Sequence, residues 1–313
     1  MRLSIKEWTK FAVLSLLWGS SFLWIKIAIA ETGPLTLVTL RVLLAVTGVL
    51  AIVFWRRPAW PGRSFIPVFL TLGLVNTALP FSLISFSEQY ISSGMASILN
   101  STVPLFAIII APIFLRDDPF TAPKAIGLVV GFAGIVILVS DHLGGGMNEQ
   151  LVGIGAMLIA AFSYAASGVY ARRKTQGLTP ETQTLGQLVM ALLIIAPAAL
   201  TIEAPFSLPA LPISWVALSW LGLLGTAAGT LIYYSLLHSI GPTRTMLVTY
   251  LFPLVGVALG AIFLGEHIAW QQTLGGGLII SGVWIVNQMK EPLRLLPSFL
   301  HDRIISGNKP HKG

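Results

Sequence analysis

Tyr250-Leu-Phe-Pro-Leu254, followed closely by Ala261-Ile-Phe-Leu-Gly-Glu266, is the stretch that decides the fold, because the chain contains it twice. The first copy lies 149 residues earlier and reads Ser101-Thr-Val-Pro-Leu105 and then Pro112-Ile-Phe-Leu-Arg-Asp117. A glycine-bearing apolar run follows each copy. A weak internal repeat within an apolar chain is typical of membrane carriers that are built from two related halves.

The repeat extends over nearly the whole chain. Leu72-Gly-Leu74 matches Leu221-Gly-Leu223 at the same spacing of 149 residues. Nearer the N-terminus the spacing is 146 residues, and it pairs Pro34 with Pro180, Arg41 with Gln187, Trp18 with Tyr164 and Lys26 with Arg172. We therefore predict two repeats, residues 1–145 and 146–289, followed by a basic cytoplasmic tail, residues 290–313.

The composition excludes an ordinary soluble domain. Apolar residues make up 55% of the chain and charged residues 10%, and the mean hydropathy is +0.83, whereas soluble domains carry about 25% charged residues. An apolar run of about 20 residues spans a bilayer. The sequence holds ten such runs: 8–29, 34–54, 66–86, 93–115, 121–140, 151–171, 181–201, 214–237, 243–264 and 270–289. We predict an all-α integral membrane protein with ten transmembrane helices.

The positive charge is distributed as a topology signal. The net charge is +7, but 17 of the 19 Lys and Arg residues fall at the termini, in the even-numbered loops or in the first four residues of the runs that follow these segments, and the odd-numbered loops hold none. Cytoplasmic loops attract basic residues during membrane insertion. We therefore predict a multi-pass protein of the cell (inner) membrane with cytoplasmic N- and C-termini, and no nucleic acid as a partner.

Two prolines indicate where a solute would bind. Pro104 and Pro253 lack the N–H that would pair with the carbonyl groups of Asn100 and Thr249, four residues back. Helices that are broken at matching places in two halves are typical of a binding site at mid-membrane depth.

The candidate binding residues lie near these breaks or on the neighbouring helices. Flat apolar walls with a few convergent polar groups form small-molecule pockets. The walls would come from three aromatic side chains and the polar groups from two amides and two phenols: Trp18, Phe81 and Tyr164, and Asn76, Asn100, Tyr233 and Tyr250. For each aromatic residue, simple helix packing is the alternative interpretation.

Three charged residues lie within or at the end of the apolar runs, where a charge normally faces protein or water. Lys26, Arg41 and Glu88 are predicted to be structural or gating charges. Arg41 is interpreted as structural, because its match in the second half is the neutral Gln187. Glu88 would either pair with Lys26 or Arg41, or lie solvated at a helix end.

These features resemble the EamA-type permeases of the drug/metabolite transporter superfamily. The resemblance covers about residues 8–289 and is carried by Leu17-Trp-Gly-Ser-Ser-Phe22 with Lys26, by Pro34 with Arg41, by Ala96-Ser97 through Leu105, by Pro253 through Glu266 and by the glycine-bearing fifth and tenth runs. It implies two five-helix repeats in inverted topology around a central cavity with alternating access, and transport of small metabolites, often outward. Arg116-Asp117 departs from the Gly265-Glu266 pattern in the first repeat.

We therefore expect a secondary transporter of small metabolites, amino-acid-like or otherwise amphipathic, that works as an exporter. A carrier of anionic sugar-phosphate or nucleotide-sugar solutes is the alternative, and a membrane receptor or scaffold is the non-transport alternative. An enzyme is not expected, since no two His residues are four apart and the Gly-x-Ser-x-Gly turn is absent. No cofactor or metal is predicted. The expected partners are a small-molecule solute and the lipid bilayer. A coupling ion (a proton) and a homodimer are compatible with the sequence but not required by it.

Overall fold

The computed structural model describes residues 4–115, 120–140, 149–204, 208–240 and 245–288. Helices account for the architecture throughout these ranges, which contain no β-strand, so the all-α prediction is confirmed. The predicted basic tail, 290–313, and Arg116-Asp117 lie outside the described residues.

Eight of the helices are long and apolar enough to cross a membrane. They are Ile5–Ile29, Pro34–Arg56, Arg63–Ser87, Ser93–Phe114, Ala122–Ser140, Glu149–Lys174, Pro180–Ile202 and Pro212–Leu237. A shorter apolar helix, Val248–Leu264, follows, and the last helix is Trp270–Gln288. The chain is therefore a multi-pass membrane protein.

Local sequence explains where these helices begin. Proline lies in the first turn of the helices that begin at Pro34, Pro180 and Pro212, where its missing N–H leaves no hydrogen bond unmade. Ser92 caps the helix that follows it by accepting a hydrogen bond from the Met95 N–H at 3.2 Å. Gly265 ends the helix Phe252–Leu264 in the left-handed conformation (φ 64°) that glycine adopts most readily.

Both helices that contain the predicted breaks are interrupted. In the first half, α-helix Ser93–Asn100 is separated from α-helix Val103–Phe114 by a turn. In the second half, a 3₁₀ helix, Met246–Leu251, precedes α-helix Phe252–Leu264. The prediction from Pro104 and Pro253 is confirmed, because proline cannot continue the α-helical hydrogen bonds into the preceding turn.

A second pair of irregular segments was not predicted. Gly73–Ala78 and Trp220–Ala228 are both π-helical. Residues 73–78 match residues 222–227 at the spacing of 149 that relates the two copies of the repeat. Short π-helical segments inside α-helices occur frequently at functional sites.

Each π-helical segment packs against a helix from the other half of the chain. A Cβ atom added at Gly222 would lie 2.8 Å from the Arg41 carbonyl oxygen, and one added at Gly73 would lie 2.9 Å from the Gln187 carbonyl oxygen. Arg41 and Gln187 are matching positions of the repeat. The two halves therefore make equivalent contacts across their interface, and both contacts require glycine.

The glycine-bearing fifth and tenth runs pack together, as their small faces predict. A Cβ atom added at Gly134 would lie 2.6 Å from the Gly275 carbonyl oxygen, and one added at Gly127 would lie 2.4 Å from that of Gly282. Helices Ala122–Ser140 and Trp270–Gln288 are therefore in backbone contact within one chain.

The two ends of the helical bundle differ in charge. At one end, here named the basic end, Arg56 forms an ion pair with Glu181 at 2.6 Å. At the other, here named the acidic end, carboxylates accept hydrogen bonds from backbone N–H groups at the starts of helices. Glu203 accepts from Leu35 and Thr36, both at 2.8 Å. Such contacts join the two halves and close the acidic end.

Candidate functional site: a cavity between the two halves

A cavity of about 170 Å³ lies between the two π-helical segments and the two broken helices. This volume is more than ten times the roughly 10–15 Å³ that one buried water molecule requires. Its wall includes apolar, aromatic and polar side chains from both halves: Trp18, Phe22, Arg41, Asn76, Phe81, Asn100, Tyr164, Gln187, Thr226, Tyr233, Tyr234 and Phe252.

Aromatic rings form one side of the cavity. The ring centroids of Trp18 and Tyr233 are 5.3 Å apart, and those of Trp18 and Phe252 are 6.1 Å apart in an edge-to-face arrangement. The indole Nε1 of Trp18 donates a hydrogen bond to the Gly225 carbonyl oxygen at 2.8 Å. That bond orients the ring, so the wall is held in place before any solute enters.

A chain of hydrogen bonds forms a second part of the wall. The Ser167 hydroxyl donates to Asn76 Oδ1 at 2.7 Å, and Asn76 Nδ2 donates to Gln187 Oε1 at 3.4 Å. The Tyr234 hydroxyl donates to the same Gln187 oxygen at 3.1 Å. The chain joins residues of both halves and fixes the orientation of the two amides.

Arg41 supplies a positive charge to the wall. Its Nε donates to Thr226 Oγ1 at 2.8 Å, and its guanidinium carbon lies 3.9 Å from the centre of the Phe81 ring. Arg41 as a whole residue is only 5% exposed to solvent. No carboxylate of the described residues lies within 4.0 Å of the guanidinium. A buried, always-charged group with neutral neighbours is suited to bind an anionic group of a solute.

Asn100 lies where the first broken helix is interrupted. The residue is 7% exposed, and its Oδ1 has no hydrogen-bond partner among the described residues. Buried polar atoms are normally paired. Its amide oxygen is therefore an acceptor that a solute in the cavity could use.

A second cavity, of about 500 Å³, extends toward the basic end. It shares Asn76, Gly168, Tyr233 and Tyr234 with the first cavity. Lys124 and Arg172 also line it. The two cavities together form a route from the centre of the bundle toward the basic end, whereas the acidic end is closed.

Lys26 and Glu88 contact each other, but not as either sequence interpretation predicted. The Lys26 ammonium donates to the backbone carbonyl oxygens of Glu88 and Ile91, the second at 2.9 Å. The Glu88 carboxylate forms no ion pair with Lys26 or Arg41 within the described residues. The alternative of a solvated helix end is wrong, because Glu88 is 0% exposed. Both carbonyls are available to the ammonium because they lie in the connection between helices that end at Ser87 and begin at Ser93.

Residues 8–140 and 151–288 each match the EamA-like transporter family. The chain belongs to the EamA-like transporter family. Together the two matches cover both halves, which agrees with the resemblance seen in the sequence. The protein is therefore a membrane transporter of small solutes.

Several relatives of this EamA-family transporter are named as transporters of bacteria and archaea. It is 25% identical to an uncharacterized transporter of Archaeoglobus fulgidus over 90% of this chain and 99% of that protein. It is 26% identical to the uncharacterized inner membrane transporter YedA of Escherichia coli, covering 87% of this chain and 88% of that protein. It is 28% identical to an Escherichia coli protein named "Probable amino-acid metabolite efflux pump", and the match covers 88% of this chain and 94% of that protein.

A crystal structure has the same fold. It superposes with a TM-score of 0.63 at 18% sequence identity, over 90% of this chain and 96% of the other. At this identity the likeness concerns the fold alone.

The cavity brings together most of the residues that the sequence nominated in this EamA-family transporter. Trp18, Asn76, Phe81, Asn100, Tyr164 and Tyr233 line it, and Arg41 joins them. Tyr250 does not line it and packs, partly buried, against the apolar core. Sequence reasoning missed Gln187, Thr226 and Tyr234 as wall residues. The pairing of Gln187 with Arg41 in the repeat was the signal that could have indicated Gln187.

Proposed function

We propose that the protein is a secondary transporter that exports small amphipathic metabolites, amino-acid-like solutes among them, by alternating access around the central cavity. The observation that carries this proposal is the composition of the cavity wall. Aromatic rings face a buried guanidinium, and a fixed chain of amides lies beside them. An amino acid presents both an apolar side chain and a carboxylate, and the wall offers a partner for each.

The proposal includes ten membrane-spanning helices in two inverted five-helix repeats. Val248–Leu264 and Trp270–Gln288 would add the ninth and tenth to the eight long helices. With five spans, an odd number, the first repeat would end on the side of the membrane opposite to its start. The second repeat would therefore cross the membrane in the reverse orientation. The reciprocal glycine contacts at Gly73 and Gly222 support this arrangement, because each half presents the same segment to the other.

We assign Arg41 the role of binding the carboxylate of the solute, in addition to its contacts with Thr226 and Phe81. A guanidinium has five N–H donors, and the bond to Thr226 uses only the Nε–H. The remaining donors match the two oxygens of a carboxylate. Asn100 Oδ1 would accept a hydrogen bond from the ammonium group of the same solute.

The charge of the cavity favours amino-acid-like solutes over sugar phosphates. Arg41 is the only charged side chain on the described wall of the central cavity. Lys26, which could have supplied a second positive charge, binds backbone carbonyls at the acidic end instead. One fixed positive charge suits a monocarboxylate or zwitterion better than a doubly charged phosphate.

Export is proposed from two observations. One relative is named "Probable amino-acid metabolite efflux pump". The second cavity leads from the centre toward the basic end, which the distribution of Lys and Arg predicts to be cytoplasmic. A cytoplasmic solute would therefore reach the site directly in the conformation described here.

Transport by purified protein in liposomes tests the proposal. Counterflow of radiolabelled neutral amino acids should exceed that of sugar phosphates. Trp18→Ala should lower the rate by about tenfold or more, since truncating an aromatic anchor of a binding site costs roughly 2 kcal/mol. Trp284→Ala is the matched control, because Trp284 is 57% exposed on the outside of the bundle. Binding without flux would instead favour a receptor, and flux of phosphates alone would favour the anion carrier.

A further inference from the structure

The connection at the acidic end between helices Arg63–Ser87 and Ser93–Phe114 buries a carboxyl group that the cavity does not use. Glu88 is 0% exposed, and neither of its carboxyl oxygens has a hydrogen-bond partner among the described residues. The hydroxyls of Ser85, Ser87 and Ser93, which flank it in sequence, are also buried and are likewise without a partner in these ranges. The carboxyl group is therefore shielded from solvent, in a segment that contains several buried hydroxyl groups.

The charged groups around Glu88 do not compensate an ionised carboxylate directly. Lys26, from the first helix, donates to the carbonyls of Glu88 and Ile91. Arg41, from the second, donates to Thr226. Glu266 adds a negative charge while it accepts the N–H groups of Ser93 and Gly94 at 2.7 and 3.0 Å.

The remaining neighbour is helix Glu149–Lys174, where Gly153 packs closely against Ser87 and Tyr90. Its acidic residue at this end, Glu149, is exposed to solvent. Glu88 also follows the last residue of helix Leu79–Ser87, and a negative charge at a helix C-terminus is unfavourable. An ionised Glu88 would thus meet an unfavourable helix dipole as well as the loss of solvation.

Burying an ionised carboxylate without hydrogen bonds costs several kcal/mol. Burial raises the pKa of the Glu88 carboxyl well above its usual range, and the negative charge of Glu266 raises it further. The positive charges of Lys26 and, to a smaller extent, Arg41 lower this pKa and offset part of the rise. A protonated carboxyl can instead donate a hydrogen bond to a neighbouring hydroxyl oxygen. The closed acidic end therefore favours the neutral form.

We propose that Glu88 is a proton-binding site of the transport cycle, occupied while the acidic end is closed and vacated when that end opens to water. This inference rests on the proposed alternating access. Each closure takes up one proton from the solution at the acidic end, and each opening returns it unless the proton leaves by another route. In the open state water can solvate the ionised carboxylate, and Lys26, which here binds the backbone carbonyl of Glu88, can compensate its charge.

The direction of the pH dependence follows from the two states. The closed state has the higher affinity for the proton, so closure is favoured at low pH. That preference is lost as the pH rises through the raised pKa of the closed state. The ratio of open to closed protein can change by up to about tenfold per pH unit in this range.

Thiol labelling tests the site without knowledge of the solute, because the chain contains no cysteine. Ile84→Cys places one thiol on the cavity wall one turn before Glu88. A membrane-impermeant maleimide is added from the acidic end, and the labelling rate is measured between pH 5 and 9. The rate is divided by that of Ile268→Cys, a position 51% exposed in the wild-type chain, to correct for the pH dependence of the reagent itself. The corrected rate should rise with pH. In Glu88→Gln it should stay at the slow, low-pH value throughout. Glu149→Gln changes an exposed acid at the same end and should behave as wild type.

Two outcomes would overturn the proposal: a corrected rate in the parent chain that does not change with pH, or an unchanged pH profile in Glu88→Gln. If Glu88→Gln fails to fold, Glu88→Asp retains a titratable group and should shift the profile rather than abolish it; an unshifted profile would also overturn the proposal. A labelling rate that is independent of pH, in a protein that transports amino acids, would refute the proton site and leave the proposed transport function standing. A pH-dependent profile in a protein that transports nothing would remove the proposed transport function alone.

Discussion

Arg41 and Gln187 occupy matching positions of the two repeats and both line the cavity, yet one side chain is charged and the other is neutral. Arg41 donates to Thr226 of the second half at 2.8 Å. Gln187 accepts from Asn76 of the first half at 3.4 Å and from Tyr234 at 3.1 Å. The duplicated fold thus places a charge at one of the two matching wall positions and a neutral amide at the other. A solute with one anionic group would bind in a single orientation.

Replacing the charge by the residue that the other repeat carries tests this asymmetry. Arg41→Gln should raise the concentration for half-maximal transport of a carboxylate solute by roughly 10- to 100-fold, since a hydrogen bond to a charged group contributes about 1.5–3 kcal/mol. Counterflow in liposomes measures the effect. Arg56→Gln is the control, because the Arg56 side chain is 60% exposed in its ion pair and such pairs contribute little.

The same variant separates a binding role from the purely structural one that the sequence suggested for Arg41. A binding role predicts a normal yield of folded Arg41→Gln protein with weakened transport. A low yield, with unchanged affinity in the fraction that folds, would mean that Arg41 only supports the helices around it.

Glu266 should hold the acidic end closed. Its carboxylate accepts two N–H groups at the start of helix Ser93–Phe114, at 2.7 and 3.0 Å. Loss of a helix cap costs roughly 0.5–2 kcal/mol, so Glu266→Ala should speed maleimide labelling of Ile84→Cys from this end by roughly 2- to 30-fold. Glu7→Ala, which removes a cap at the other end of the bundle, should leave the labelling rate unchanged. Equal effects of the two changes would contradict a local role for Glu266.

Gly134 should be required for packing of the fifth and last helices. Gly134→Val places side-chain atoms where even a Cβ would lie 2.6 Å from the Gly275 carbonyl oxygen. Overpacking of this kind costs about 1–3 kcal/mol, so the melting temperature of the purified protein should fall. Gly277→Val on the partner helix should be tolerated, because nothing lies within 4 Å of a Cβ there. Equal stability of the two variants would argue against the close helix contact.

The sequence predicts helix positions well because each apolar run must match the thickness of a membrane. Eight runs correspond to long helices whose ends differ from the predicted ones by only a few residues. Proline marked both broken helices for a similar reason, since its missing N–H removes a hydrogen bond in any context.

Contacts between the halves were not predictable from composition or periodicity. The π-helical segments depend on packing against the partner half, although the repeated Leu72-Gly-Leu74 and Leu221-Gly-Leu223 marked their positions. Tyr250 was nominated because it lies near the break at Pro253. The segment Met246–Leu251, however, is a 3₁₀ helix, with three residues per turn. That winding turns different side chains inward, and Thr245, Val248 and Thr249 line the cavity in place of Tyr250.

The predicted orientation can be measured with reporter fusions. Fusions after residues 60, 175 and 300 should report the cytoplasm, and fusions after residues 146 and 208 should report the outside. The reason is that basic residues are concentrated in the even-numbered connections. A C-terminus on the outside would contradict both the ten-helix topology and the assignment of the basic end to the cytoplasm.

Protection of single cysteines by a transported solute tests the central claim, that the cavity between the two halves is the binding site. Four wall residues are replaced by cysteine one at a time: Trp18, Asn76, Asn100 and Tyr233. Single cysteines at Tyr250, Leu128 and Leu278, which lie off the cavity wall, are the controls. A solute that the protein transports should slow labelling at the four wall positions and leave the three controls unchanged. Protection at the controls alone, or at none of the four wall positions despite measured transport, would contradict the account.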